Sequence, residues 1–248
     1  EAQDDVSFSH EDFPVLPTVD LNPEIKPLPA VPDESPRITE GADADVFENG
    51  AMRVEIQHGD GIALRRLTHK SMQADALQEP VAETLFVLEV GGQRLTGTDF
   101  TVDRKEVLVS TPDKISVVYD LSHAATELTG RIRVTMDRTE ELQIGFSLQN
   151  QSKQNQVVKA AFPVLGGVGW SEGYVGDRYL FPYGTGLVLD HPAYFRSGYG
   201  SGKTYYQTMA SYCPELGGGL FVRVNDQSGE YKILHMLKAD ARESDPTF

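Results

Sequence analysis

The chain has 248 residues, 40% of them hydrophobic, and a formal net charge of −15. That length holds one large domain or two smaller ones with a sizeable core, and the acidity excludes nucleic acid and anionic membrane surfaces as partners, because both repel it. Cys213 is the only cysteine, which excludes an intramolecular disulfide and C-x-x-C metal or redox chemistry, and no apolar run approaches the length of a membrane span.

The charge is unevenly placed. The first fifty residues hold thirteen Asp or Glu against only Lys26 and Arg37, and seven of the fourteen prolines. Such a segment cannot bury enough apolar surface to fold alone, so residues 1–44 are expected to be extended, either wrapping the following domain or moving freely. A start at Glu1 followed by an acidic polar stretch fits a mature secreted or periplasmic protein after removal of its leader.

From Asp45 the pattern changes to strands. Met52, Val54 and Ile56 alternate up to a turn at His58-Gly59-Asp60-Gly61, and Ile62 and Leu64 resume the apolar face, which predicts a hairpin. Further short runs rich in Val, Ile, Leu and Thr follow at Thr84–Val90, Phe100–Val102, Glu106–Ser110, Lys114–Leu121, Gly130–Met136 and Glu141–Asn150. Arg131–Met136 and Glu141–Leu148 read as antiparallel neighbours, with Ile132, Val134 and Met136 facing inward beside Leu142, Ile144, Phe146 and Leu148. Helical periodicity is faint and confined to Ser71–Leu77. The expected fold is all-β, a large antiparallel β-sandwich of a dozen or more strands spanning residues 45–248, since two sheets can share one core.

The segment from Phe162 to Val222 is different in composition. Eight of the ten tyrosines lie between Tyr174 and Tyr212, and Trp170 is the only tryptophan. Aromatic rings beside polar groups suit the apolar faces of sugar rings; they equally suit an interface with a neighbouring domain. Trp170, Tyr183, Tyr194, Arg196 and Tyr199 are the candidate substrate-binding residues. Glycoside hydrolysis requires two carboxyls flanking one bond, and the candidates here are Glu172, Asp177, Asp190 and Glu215. A turn explains Asp177 and Asp190 more economically than catalysis does. If any residue acts on a sugar, the pair Asp190 and His191 is the expected base and proton partner, with Tyr194 and Arg196 in the same loop. His123 and His235 read as structural histidines. The run SGYGSGKT has Ser197 where a phosphate loop needs glycine, so no nucleotide is expected. No His, Asp or Glu cluster has metal-ligand spacing. No cofactor is expected, although calcium held by loop oxygens would leave no sequence trace.

The order of these pieces resembles a known arrangement. AMRVEIQHGDGIALRRLTH, then GRIRVTMDRTEELQIGFSLQNQS, FPVLGGVG, YLFPYGTGLVLDHP and YQTMASYCPELGGGLFV look like the N-terminal domain of certain glycoside-hydrolase-like bacterial proteins. In that family a galactose-mutarotase-like supersandwich precedes a (β/α)-barrel carrying the catalytic carboxylates. The resemblance covers about Asp45 to the C-terminus and implies that this stretch is the front part of a longer protein. It also implies a non-catalytic module that shapes the site of the following barrel, with carbohydrate or that barrel as its partner. The alternatives are a mutarotase- or hydrolase-like enzyme working through the Asp190/His191 loop, and a structural or adhesion module.

Overall fold

A computed structural model describes residues 30–78, 85–154, 156–172, 176–184, 186–191, 193–198, 204, 206–225 and 231–238. Among these residues there is no α-helix; 3-10 turns stand at Gly97–Asp99 and Ala124–Thr126. The chain is otherwise built from antiparallel sheets, as the two-residue apolar alternation predicts.

The first sheet runs in chain order through β1 (Arg37–Glu40), β2 (Ala44–Glu48), β3 (Met52–Gln57), β4 (Ala63–His69) and β5 (Ala74–Asp75). The expected hairpin is β3–β4. Its turn needs glycine at position 61, where φ is +73° and a Cβ would come within 2.4 Å of the Thr98 backbone. β1 lies inside the segment expected to be irregular. Its four residues follow Pro36, the last of the seven early prolines, and from there every amide can join a ladder. The charged strap before and within β1 is tied down by ion pairs: Asp33 with Arg138, Glu34 with Lys70, Arg37 with Glu48 and Glu40 with Lys105. Residues 1–29, and with them most of the expected acidic tail, lie outside the described residues. The faint helical signal at Ser71–Leu77 is a turn followed by β5, because Ala76 N–H bonds back to the Leu67 carbonyl at 2.6 Å rather than continuing a helix.

The second sheet has the order β11 (Leu142–Asn150), β10 (Leu128–Asp137), β9 (Lys114–His123), β8 (Thr101–Ser110). β10 and β11 are antiparallel neighbours as expected, and their register sets Ile132 opposite Phe146, Val134 opposite Ile144 and Met136 opposite Leu142. β8 is one ten-residue strand where two short ones are expected; two register shifts against β9 absorb the break in alternation. β12 (Val157–Val164), β6 (Leu85–Val90) and β7 (Gln93–Thr96) form a third sheet in that order.

The apolar faces of these strands meet in one core. Phe47, Val54, Ile56, Leu88, Val117, Tyr119, Ile132 and Val134 have no exposed surface, and Trp170 and Cys213 join the same cluster from the later part of the chain. Each such Leu, Ile, Val or Phe contributes about 1.5–3 kcal/mol by leaving water. The aromatic segment forms a four-stranded sheet, β14 (Leu187–Leu189), β13 (Arg178–Phe181), β16 (Thr208–Cys213), β17 (Gly218–Arg223). Beside it in sequence is a two-stranded ribbon of β15 (Ala193–Gly198) and β18 (Ile233–Lys238).

Candidate functional site

The β15–β18 ribbon carries two of the expected site residues, Tyr194 and Arg196. Strand alternation separates Tyr194 and Arg196, which are exposed, from Phe195 and Ser197, which turn inward. Arg196 pairs across the ribbon with His235, and the Tyr194 hydroxyl lies 3.3 Å from His235 Nδ1. Burial, then the positive charges of Arg196 and Lys159, push the His235 imidazole below its ordinary pKa. Tyr231 extends the same outer face. It lies over Gly198, where a Cβ would meet its hydroxyl at 2.2 Å.

Asp190 and His191 stand just before β15. Asp190 Oδ1 is 2.9 Å from His191 Nδ1, and the two side chains are 55% and 70% exposed. That hydrogen bond is the main cause holding the Asp190 carboxyl below the usual carboxylate range. Tyr183 is placed apart from this face. Its ring lies 6.4 Å from that of Phe195, whose side chain leaves β15 on the side opposite Tyr194. Tyr199 lies outside the described residues.

Trp170 is separated from the ribbon face altogether. It is 6% exposed, and its Nε1–H donates to the Ser211 carbonyl and hydroxyl, each at 3.1 Å. Its ring therefore offers the surface an edge and no stacking face. Asp177, fully buried, accepts from the backbone amides of Trp170 at 2.9 Å and Ser171 at 3.0 Å, the turn role expected of it. Glu172 and Glu215 are exposed. Lys238, at the end of β18, is 5% exposed and donates to the Asp177 carbonyl at 2.7 Å and the Asp190 carbonyl at 3.3 Å. Burial pulls its ammonium below the ordinary lysine range. This lysine anchors the chain next to the Asp190–His191 pair, and nothing in its own neighbourhood of sequence marks it.

Two further clusters arise only from folding. Asp45, completely buried, accepts from the Tyr119 hydroxyl at 2.7 Å and from Lys105 Nζ at 3.0 Å, with His58 Nε2 at 3.3 Å. Burial, then the hydrogen bond to Asp45, raises Tyr119 far above the ordinary phenol range. Burial alone would lower Lys105, but its bonds to Glu40 and Asp45 outweigh that and raise it. The second cluster is an open depression of about 440 Å³ beside β4, lined by Arg65, Arg66, Asp75, Leu77, Gln78 and the edge of Trp170 among others. Among the described residues no group of three or more His, Cys, Asp or Glu could hold a metal ion, and no helix is long and apolar enough to cross a membrane.

No family model matches this chain, and no curated protein matches it. The functional reading therefore rests on the residues themselves.

Proposed function

We propose that the chain is a β-sandwich module of the galactose-mutarotase-like supersandwich kind, from a secreted or periplasmic carbohydrate-active protein. In this reading it packs against a following catalytic barrel and does not itself turn over glycosides. The carrying observation is where the large apolar side chains reach water. Among the described residues eight are so exposed, and six of them follow position 187: Val188, Tyr194, Tyr206, Phe221, Tyr231 and Ile233. Single exposed apolar residues are ordinary, but a concentration on the last strands is what a domain contact needs. The carboxylates support the same reading. Asp177 is engaged by backbone amides in the interior, and Asp190 is at the surface, so these two do not flank one bond as hydrolysis demands.

The enzyme alternative draws on the Asp190–His191 hydrogen bond, which pairs an ionised carboxylate with an imidazole. Purified chain should give no turnover of aryl glycosides and no acceleration of sugar anomerisation. Turnover abolished by Asp190→Asn would establish the enzyme reading in its place.

A further inference from the structure

Leu64 and Leu67 are both core residues, at 1% and 8% exposure, yet three positions separate them. Strict alternation would put one of them in water. The strand resolves the conflict with a bulge: Ile56 opposes Leu64 and Glu55 opposes Arg66, which makes Arg65 the extra residue. Two consecutive arginines consequently leave the sheet toward one depression, instead of toward opposite faces. Each is oriented through its Nε. Arg65 donates to the Gln57 side chain, and Arg66 lies 3.4 Å from Asp75 Oδ2. The terminal nitrogens of both guanidiniums make no hydrogen bond among the described residues. Two arginines against one carboxylate, Asp75, leave this depression with a net positive charge in a chain whose net charge is −15.

We propose that this depression binds a sugar acid, with its carboxylate held by Arg65 and Arg66. Paired guanidiniums match a carboxylate in geometry and charge. Leu77, the edge of Trp170 and Ala74 line the same depression as small apolar patches. Its other polar groups are Asp75, which accepts from the Thr68 hydroxyl and faces Arg66, and Gln78, whose Nε2 donates to the Ser171 carbonyl at 3.5 Å. The volume lies within the roughly 300–1,000 Å³ of small-ligand sites. The choice of a sugar as the carboxylate's carrier rests on the carbohydrate reading above; the anion preference rests on the bulge alone.

The test is calorimetric titration of the purified chain at low salt with D-glucuronate, D-galacturonate, D-glucose, acetate and inorganic phosphate. A uronate should bind more tightly than glucose, acetate or phosphate. Arg65→Gln combined with Arg66→Gln should weaken it by about tenfold or more, while Arg94→Gln on β7 leaves it unchanged. If the double variant fails to fold, Arg66→Gln alone, at a side chain 53% exposed, carries the comparison. Glucose binding as well as a uronate would overturn the carboxylate role. Acetate or phosphate binding equally well would overturn the sugar, and no binding or an unaffected variant would overturn the site. None of these results bears on whether the last strands dock a neighbouring domain, and failure of that docking would leave the titration as it stands.

Discussion

Tyr119→Phe isolates one bond of the buried Asp45 cluster. The substitution keeps the ring and its packing and deletes only the hydroxyl that donates to Asp45 at 2.7 Å. Both residues have no exposed surface, so water does not replace the lost donor. A hydrogen bond to a charged group contributes about 1.5–3 kcal/mol, and that is the expected loss of stability. Asp45→Ala should cost more, about 3–5 kcal/mol, because it leaves the Tyr119 hydroxyl unsatisfied and Lys105 without its buried partner. Urea unfolding followed by fluorescence of Trp170, the sole tryptophan and a core residue, reads both values directly. Tyr206→Phe, at an exposed tyrosine, is the control and should stay within about 0.5 kcal/mol. A Tyr119→Phe effect no larger than that control would refute the claim that this cluster ties β2 to β9.

Lys238→Met should unfold at a lower urea concentration at neutral pH, because it removes the donor to the buried Asp177 carbonyl and to the Asp190 carbonyl. An unchanged or higher midpoint would remove Lys238 as the anchor of this segment. Stability should fall as pH drops from 7 to 5, because the folded pKa of His235 lies below its ordinary value and the unfolded chain takes up the proton first. His235→Gln should shallow that slope, measured as urea midpoints across the range; an unchanged slope would remove His235 from the account. Trp170→Phe should cost about 3 kcal/mol or less, through the lost bonds to Ser211 and a partly filled cavity, read by circular dichroism in urea.

The fold was legible where alternation is strict. β10 and β11 could be read as antiparallel neighbours with their inward faces assigned, because Ile132, Val134 and Met136 keep the period that β-structure imposes. Bulges hide what alternation cannot express. β8 looked like two strands for that reason, and the Arg65–Arg66 pair went unnoticed although the Leu64–Leu67 spacing records it. The Asp45 cluster joins residues 60 and 74 positions apart, a proximity no local pattern encodes. At the candidate site, adjacency made Asp190–His191 readable and alternation made Tyr194 and Arg196 share a face. His235 reaches them only through the β15–β18 register. Aromatic density was the least reliable guide. Trp170, Tyr179 and Phe181 came from the same rich segment as Tyr194 and are buried, because one composition serves both a core and a contact surface.

Hydroxyl-radical footprinting tests the central claim most directly. The isolated chain and a parent protein carrying the proposed following domain would be oxidised side by side and compared at Tyr194, Tyr206, Phe221 and Tyr231. Domain docking predicts strong modification of these rings in the isolated chain and protection in the parent, with Leu108 and Val158 modified equally in both. Equal modification of all six side chains in the two proteins would contradict it.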